Sequence, residues 1–286
     1  MPPRSRLSIA KPDIVKLFEE APNRVFSHTE LAQHLSDNRE YWRLAQATST
    51  NEFIQFLLKN TKLQFHNFKL PHRPTKRYTW GDVETLEIVQ SLRPEGYFTH
   101  FTALQLHNLT EQIPKTVYLN FEQRATGGGG SLTQANINRA FANKCRVSKN
   151  VTTFHDQRIC IVNGQNTGNL GVISRDGLRL TDTERTLIDV VVRPVYAGGA
   201  FEVARAFEVV RPTLSVNRLV AYLRRLNYTY PYHQAIGYYL DRTKTYSTTQ
   251  LDLLRQFDIE FDFYLAHEMK ETEYVKEWRL FVPKGF

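Results

Sequence analysis

The order of local signals across the first 80 residues constrains this chain more than anything else in it. Pro12 opens a helical stretch to Glu20, since a first-turn residue needs no N–H of its own. Ile14, Val15, Leu17 and Phe18 form its apolar stripe. Ser27 with Glu30 three positions on is a capping box, and Phe26 and Leu31 suit a hydrophobic staple, so a short helix is expected over 28–35. A connector over 36–47 is longer than a minimal turn, with Tyr41, Trp42 and Leu44 expected against the core. Ser49 and Glu52 repeat the start signal, and Phe53, Ile54, Phe56, Leu57 and Leu58 give a third helix a broad apolar side. Residues 63–70 alternate apolar and polar as a half-buried strand does; 71–75 read as a loop and 76–80 as a second strand ended by Gly81. Three helices followed by a hairpin is the order of a winged helix-turn-helix.

The polar side of the third helix carries Asn51, Gln55 and Lys59 at i, i+4, i+8, one stripe along the helix. Asparagine and glutamine bond adenine bidentately in the major groove, and lysine serves guanine or phosphate. Thr50 sits at the start of the same helix. Lys62, Arg73, Lys76 and Arg77 flank or line the hairpin, where phosphates or a minor groove would lie. Residues 1–80 hold 13 Lys/Arg against 7 Asp/Glu, a net of +6 out of the chain's +8, so the remaining 206 residues carry only about +2. Such concentrated basic charge is the footprint of a polyanion partner. A solvated polar face, or a winged helix used for protein contacts, fits the same residues.

The expected architecture is α+β: an N-terminal winged helix-turn-helix over 1–82, then a larger mixed α/β domain over 83–286 that ends in a helical segment (211–257) and closing strands. Helix is expected over 83–92, 201–210, 215–226, 232–241 and 247–257, the last started by the box Ser247/Gln250. A helical turn is expected over 102–107, and strands over 97–99, 116–121, 261–265 and 278–282. Gly127–Gly130 reads as a flexible surface loop, not a phosphate loop, because no Gly-Lys-Ser/Thr follows. Thr181 and Glu184 form a capping box for a helix to about Val192. There Arg185, Asp189 and Arg193 fall at i, i+4, i+8 as an ion-pair ladder. Cys145 and Cys160 form no CxxC pair and lack further zinc ligands at short spacing, so neither a disulfide framework nor a metal site is expected. Without ~18 continuous apolar residues, or an apolar core in its first residues, the chain is expected to be cytoplasmic, with no membrane partner.

Residues 97–121, especially Tyr97-Phe98-Thr99-His100-Phe101-Thr102-Ala103-Leu104 and Ile113-Pro114, resemble the AbiEi family of antitoxins from type IV toxin–antitoxin systems. Arg175-Asp176-Gly177-Leu178 and Thr181-Asp182-Thr183-Glu184-Arg185-Thr186-Leu187-Ile188-Asp189 continue the likeness. So do Arg193-Pro194-Val195-Tyr196-Ala197-Gly198-Gly199 and Gln234-Ala235-Ile236-Gly237-Tyr238-Tyr239-Leu240; residues 125–135 depart from it. The resemblance implies a winged helix that represses its own operon by binding inverted repeats in double-stranded DNA at its promoter. It also implies an antitoxin domain, marked by Glu184, Arg185, Asp189 and Arg193, that opposes a nucleotidyltransferase-like toxin without a stable complex, in an operon tied to phage defence.

An enzyme reading competes. Glu268-Met269-Lys270 has the E-x-K shape of restriction-type nucleases, with Asp258 or Asp262 upstream to hold Mg²⁺. Asp258, Glu260 and Asp262 alternate as on a nucleotidyltransferase metal strand, but the Gly-Ser turn upstream is missing. His100 and His107 lack a third ligand at useful spacing, and no nucleophile elbow or Cys–His arrangement appears. The residues therefore favour a regulator without cofactor over a nuclease or other defence effector.

Overall fold

A computed structural model describes residues 5–124 and 131–286. The Gly127–Gly130 run lies outside them. The chain divides into two compact units: residues 1–94 with 152–155, and residues 95–151 with 156–286.

The first unit runs α1 (Arg6–Glu20), β1 (Val25–Phe26), α2 (His28–Asn38), α3 (Thr50–Asn60), β2 (Leu63–Phe68), β3 (Thr75–Trp80) and α4 (Thr85–Ser91). Helix α1 begins six residues before Pro12, because Ser5 accepts from the Ser8 N–H and caps it; Pro12 is interior. Both halves of the Ser27/Glu30 capping box form. At α3, Ser49 accepts from the Glu52 N–H at 3.2 Å. The connector is pinned by Arg39, whose guanidinium donates to the carbonyls of Ala45 (2.6 Å) and Thr48 (3.0 Å). Trp42 and Leu44 are buried as expected, but Tyr41 is 71% exposed. Strand β1, two residues long and too short for any periodicity, pairs with β3 and completes a three-stranded sheet in the order β1-β3-β2. The core sits between this sheet and the helices: Phe18 stacks on Trp80 (4.9 Å) and Trp42 on Phe53 (5.6 Å). The unit runs past the boundary expected at 82. Arg77 donates from β3 to the Ser91 hydroxyl (3.0 Å) and carbonyl (2.6 Å), tying α4 to the hairpin.

The second unit begins with β4 (Tyr97–Phe98), α5 (His100–Leu106), β5 (Thr116–Gln123) and α6 (Gln134–Ala142). Strand β6 (Val151–Phe154) lies mostly within the first unit's residues. The second unit resumes with β7 (Gln157–Gln165), β8 (Val172–Arg175), β9 (Leu178–Thr181) and α7 (Thr183–Val192). Helices α8 (Ala200–Val210), α9 (Val216–Leu226), α10 (Tyr232–Arg242) and α11 (Thr248–Arg255) follow, then β10 (Phe263–Tyr264), β11 (Thr272–Val275) and β12 (Leu280–Pro283). Five strands stand in the order β7-β5-β4-β9-β8, a mixed sheet, and the chain closes in a second sheet, β10-β12-β11. Helix α7 is the axis: eight of its ten residues are buried, and it packs on α5, α8, α9 and α10.

Helix α10 owes its position to a glycine. A Cβ on Gly237 would stand 2.1 Å from the Trp278 ring, so only hydrogen lets that fully buried indole lie against the helix. Gln234, one turn earlier, donates to the Trp278 carbonyl at 2.7 Å and fixes the same approach. In an open helix, replacing glycine by alanine gains up to ~1 kcal/mol. Here Gly237→Ala is expected to destabilise the fold by about 1–3 kcal/mol, because the indole has no room to retreat. Thermal unfolding of the two proteins measures it, and an unchanged or raised Tm contradicts this packing.

Candidate functional site

The polar stripe of α3 is solvent-facing: Asn51, Gln55 and Lys59 are exposed and Thr50 is half-buried, while Phe53, Ile54 and Leu57 turn into the core. Asn51 and Gln55 line a recess of about 230 Å³ between α3, the N-terminus of α2 and the hairpin. Lys76, Phe65 and Tyr78 supply its hairpin wall, and Phe65 is 45% exposed. His28, the first residue of α2, lies 3.3 Å from the Asn51 amide oxygen through Nε2 and so bears on how that amide is presented. Sequence reading missed His28 and Phe65. The only signal for Phe65 was an aromatic in a solvent-facing position of an alternating strand.

The basic residues expected on the hairpin divide. Lys76 is exposed at the recess and Arg73 is exposed in the turn. Arg77 is half-buried and bonded back onto the protein. Three of its N–H groups are engaged by Ser91 and the Lys76 carbonyl (2.8 Å), and burial pushes its pKa down. Lys62 pairs with Glu19 at 2.7 Å, a half-exposed contact. His66 is held by the Thr79 hydroxyl at 2.9 Å and is pushed toward the neutral form by burial, then by His155.

The motif residues of the second unit are buried rather than displayed. Arg185 and Asp189 are 5% and 7% exposed and meet at 2.8 Å on α7. The Arg185 guanidinium also donates to the Leu170 carbonyl (2.7 Å) and the Thr167 hydroxyl (3.3 Å), and the second Asp189 oxygen accepts from Thr99 at 2.8 Å. Burial works against the Arg185 charge. Asp189 more than restores it, so the proton is held tighter than in free arginine. Gly171, at φ 71°, permits this. A Cβ there would stand 2.7 Å from the Arg185 Cβ.

Two details of the expected ladder are corrected. Asp182, not Thr181, caps α7, accepting from the Arg185 N–H at 2.9 Å. Thr181 ends β9 and faces the Thr186 hydroxyl at 2.7 Å, and Glu184 reaches away to the Ser215 N–H at 3.0 Å and to Arg218. Arg193 does not pair with Asp189. It stands outside the helix ahead of Pro194, and its guanidinium donates to the Arg146 carbonyl at 2.7 Å and toward Cys145 Sγ.

Among the described residues no three His, Cys, Asp or Glu side chains are placed to hold a metal ion. Asp262 instead accepts from Arg279 (2.9 Å) and Tyr274 (2.7 Å), which hold its carboxyl below the usual range. His107 bonds the Thr181 carbonyl at 2.7 Å. Among the described residues no helix is long and apolar enough to cross a membrane.

No family profile matches the chain, and no curated protein does. Among solved structures, the RV2827C protein from Mycobacterium tuberculosis is similar in fold. Its TM-score is 0.62 at 12% identity, covering 96% of this chain and 91% of that one. Identity this low carries the fold alone.

Two expectations follow for the buried network. Arg185→Met leaves the Asp189 carboxylate unpaired inside the protein and is expected to cost about 3–5 kcal/mol in denaturant unfolding; a loss below 1 kcal/mol refutes the pairing. His100 is buried and pushed down to about 4 by burial, against the pull of Asp189. The unfolded chain therefore takes up this proton below about pH 6.5, while the folded protein refuses it until about 4. Stability is full above that window and falls as pH drops through it, by roughly 1.4 kcal/mol per pH unit from this group. His100→Asn, tolerated at φ 51°, is expected to flatten the slope; equal slopes in pH-resolved melts contradict it.

Proposed function

We propose that the first unit is a winged helix that binds double-stranded DNA, and that the chain is a transcriptional autorepressor and the antitoxin of a type IV toxin–antitoxin pair. One observation carries the DNA reading. Two amide side chains from α3 and a lysine from the hairpin open on the same recess, beside a helix whose other face is fully packed. The net charge of +6 over residues 1–80 supports it, since phosphate neutralisation supplies sequence-independent affinity. In this reading Asn51 and Gln55 meet base edges, and Lys59, Arg73 and Lys76 hold phosphates. Lys62 contributes less, because Glu19 neutralises it, and Arg77 holds the hairpin to α4 instead of touching DNA.

The antitoxin role, the operator of inverted repeats at its own promoter and the nucleotidyltransferase-like toxin rest on the resemblance in residues 97–121, 175–199 and 234–240. In this reading Arg185 and Asp189 act as the frame of the antitoxin domain, not as its contact surface, because both are buried.

Fluorescence anisotropy with the protein's own upstream DNA over a salt series tests the interface. Gln55→Ala is expected to cost about 1–3 kcal/mol on the preferred sequence and to relax base preference. Lys76→Ala should weaken binding to all sequences and flatten the salt slope by about one unit, whereas Arg77→Ala should lower Tm and leave that slope unchanged. Wild-type affinity and preference in both Gln55→Ala and Lys76→Ala remove the assignment.

A further inference from the structure

The second unit has a recess of its own, of about 230 Å³, where the end of α9, the turn after it and Phe257 come together. It is walled by aromatic rings and edged by Arg224, Asn227 and His233. We infer that this recess is a small-ligand site for a free nucleotide, with the base seated against Tyr230 and Tyr232 and the phosphate at Arg224. The inference does not rest on the DNA-binding reading.

Size sets the first limit. A cavity of about 150 Å³ holds benzene, so this one has room for a single base with part of its sugar, not for a peptide segment. The walls set the second. Tyr230 is held edge-on by Phe141 (5.6 Å) and by Tyr232 (6.1 Å), and His233 lies flat on Phe257 at 5.0 Å. Tyr230, fixed in this way, is a stacking platform that needs no reordering when a base arrives.

The polar groups then choose among planar ligands. His233 Nε2 is buried without a hydrogen-bond partner, and burial keeps the ring neutral, its pKa pushed down to about 4. A neutral imidazole offers that nitrogen as one donor or one acceptor, and leaving it unpaired inside the protein is unfavourable. Asn227, in the left-handed conformation that ends α9, brings an exposed amide to the rim. The Arg224 guanidinium stands 5.6 Å from the Phe257 ring and 3.1 Å from the Gln256 side chain, and Arg225 follows it on the same helix end. Asp258, beside His233, is an opposing charge, and Arg224 is the cation on the recess wall that is placed to meet an anionic group.

Titration calorimetry on the full chain with AMP, CMP, adenosine and a four-nucleotide single strand tests the site. AMP or CMP is expected to bind saturably with Kd below ~1 mM, and AMP tighter than adenosine. Tyr230→Ala is expected to weaken both AMP and adenosine by roughly tenfold, the scale of one lost base–aromatic stack. Arg224→Ala should weaken AMP by roughly tenfold and leave adenosine unchanged; Arg224 is exposed, so this variant keeps the test decisive if Tyr230→Ala fails to fold. No saturable binding of either mononucleotide, or wild-type AMP affinity in Arg224→Ala, overturns the proposal. Tighter binding of the single strand than of AMP overturns the assignment to a free nucleotide.

Discussion

The second unit is organised around one charged pair largely withdrawn from water. Removing an arginine and an aspartate from solvent is costly, and their mutual attraction repays it only when the remaining donors and acceptors are also satisfied. Arg185 and Asp189 meet that condition by recruiting partners distant in sequence: Thr99 before α5, and Thr167 and Leu170 between β7 and β8. Glu122 extends the same network through Thr167 and Tyr97. Helix α7 is therefore locked to the sheet by directional bonds and to α8, α9 and α10 by apolar contact. Such bonds specify one arrangement of the elements, where a greasy helix alone would tolerate several.

The helix starts were legible in the sequence because their signals were local. Ser27 with Glu30 and Ser247 with Gln250 start helices as written, since a capping box needs only four residues. The order of three helices and a hairpin in the first unit was readable for the same reason. Where tertiary partners compete, local reading failed. Thr181 and Glu184 have the spacing of a box, but β9 claims Thr181, and the start of α9 claims Glu184. Arg193 has the spacing of a ladder, but the helix ends one residue too soon. Strands β7 and β8 and helix α6 went unread because their apolar residues are set by pairing and packing partners far along the chain.

The candidate interface shows the same division. Side chains that face solvent, Asn51 and Gln55, fell where helical periodicity put them. Arg77 did not, because in an alternating strand a long cation can fold back onto a neighbouring element. Ser91, fourteen residues later, gives it better bonds than water does. Charge counting sees both kinds of arginine alike; only the carbonyl and hydroxyl that Arg77 meets separate them.

The notch at Gly237 also orders events in time. A nascent chain can assemble nearly all of the first unit from contiguous residues 1–94, and early domains generally fold while synthesis continues. Helix α10 has no such freedom, because the indole it packs against and the carbonyls that Gln234 bonds belong to residues 278 and 279. Until the ribosome has made those residues, the face of α10 that carries Gln234 and Gly237 has no indole to close on it.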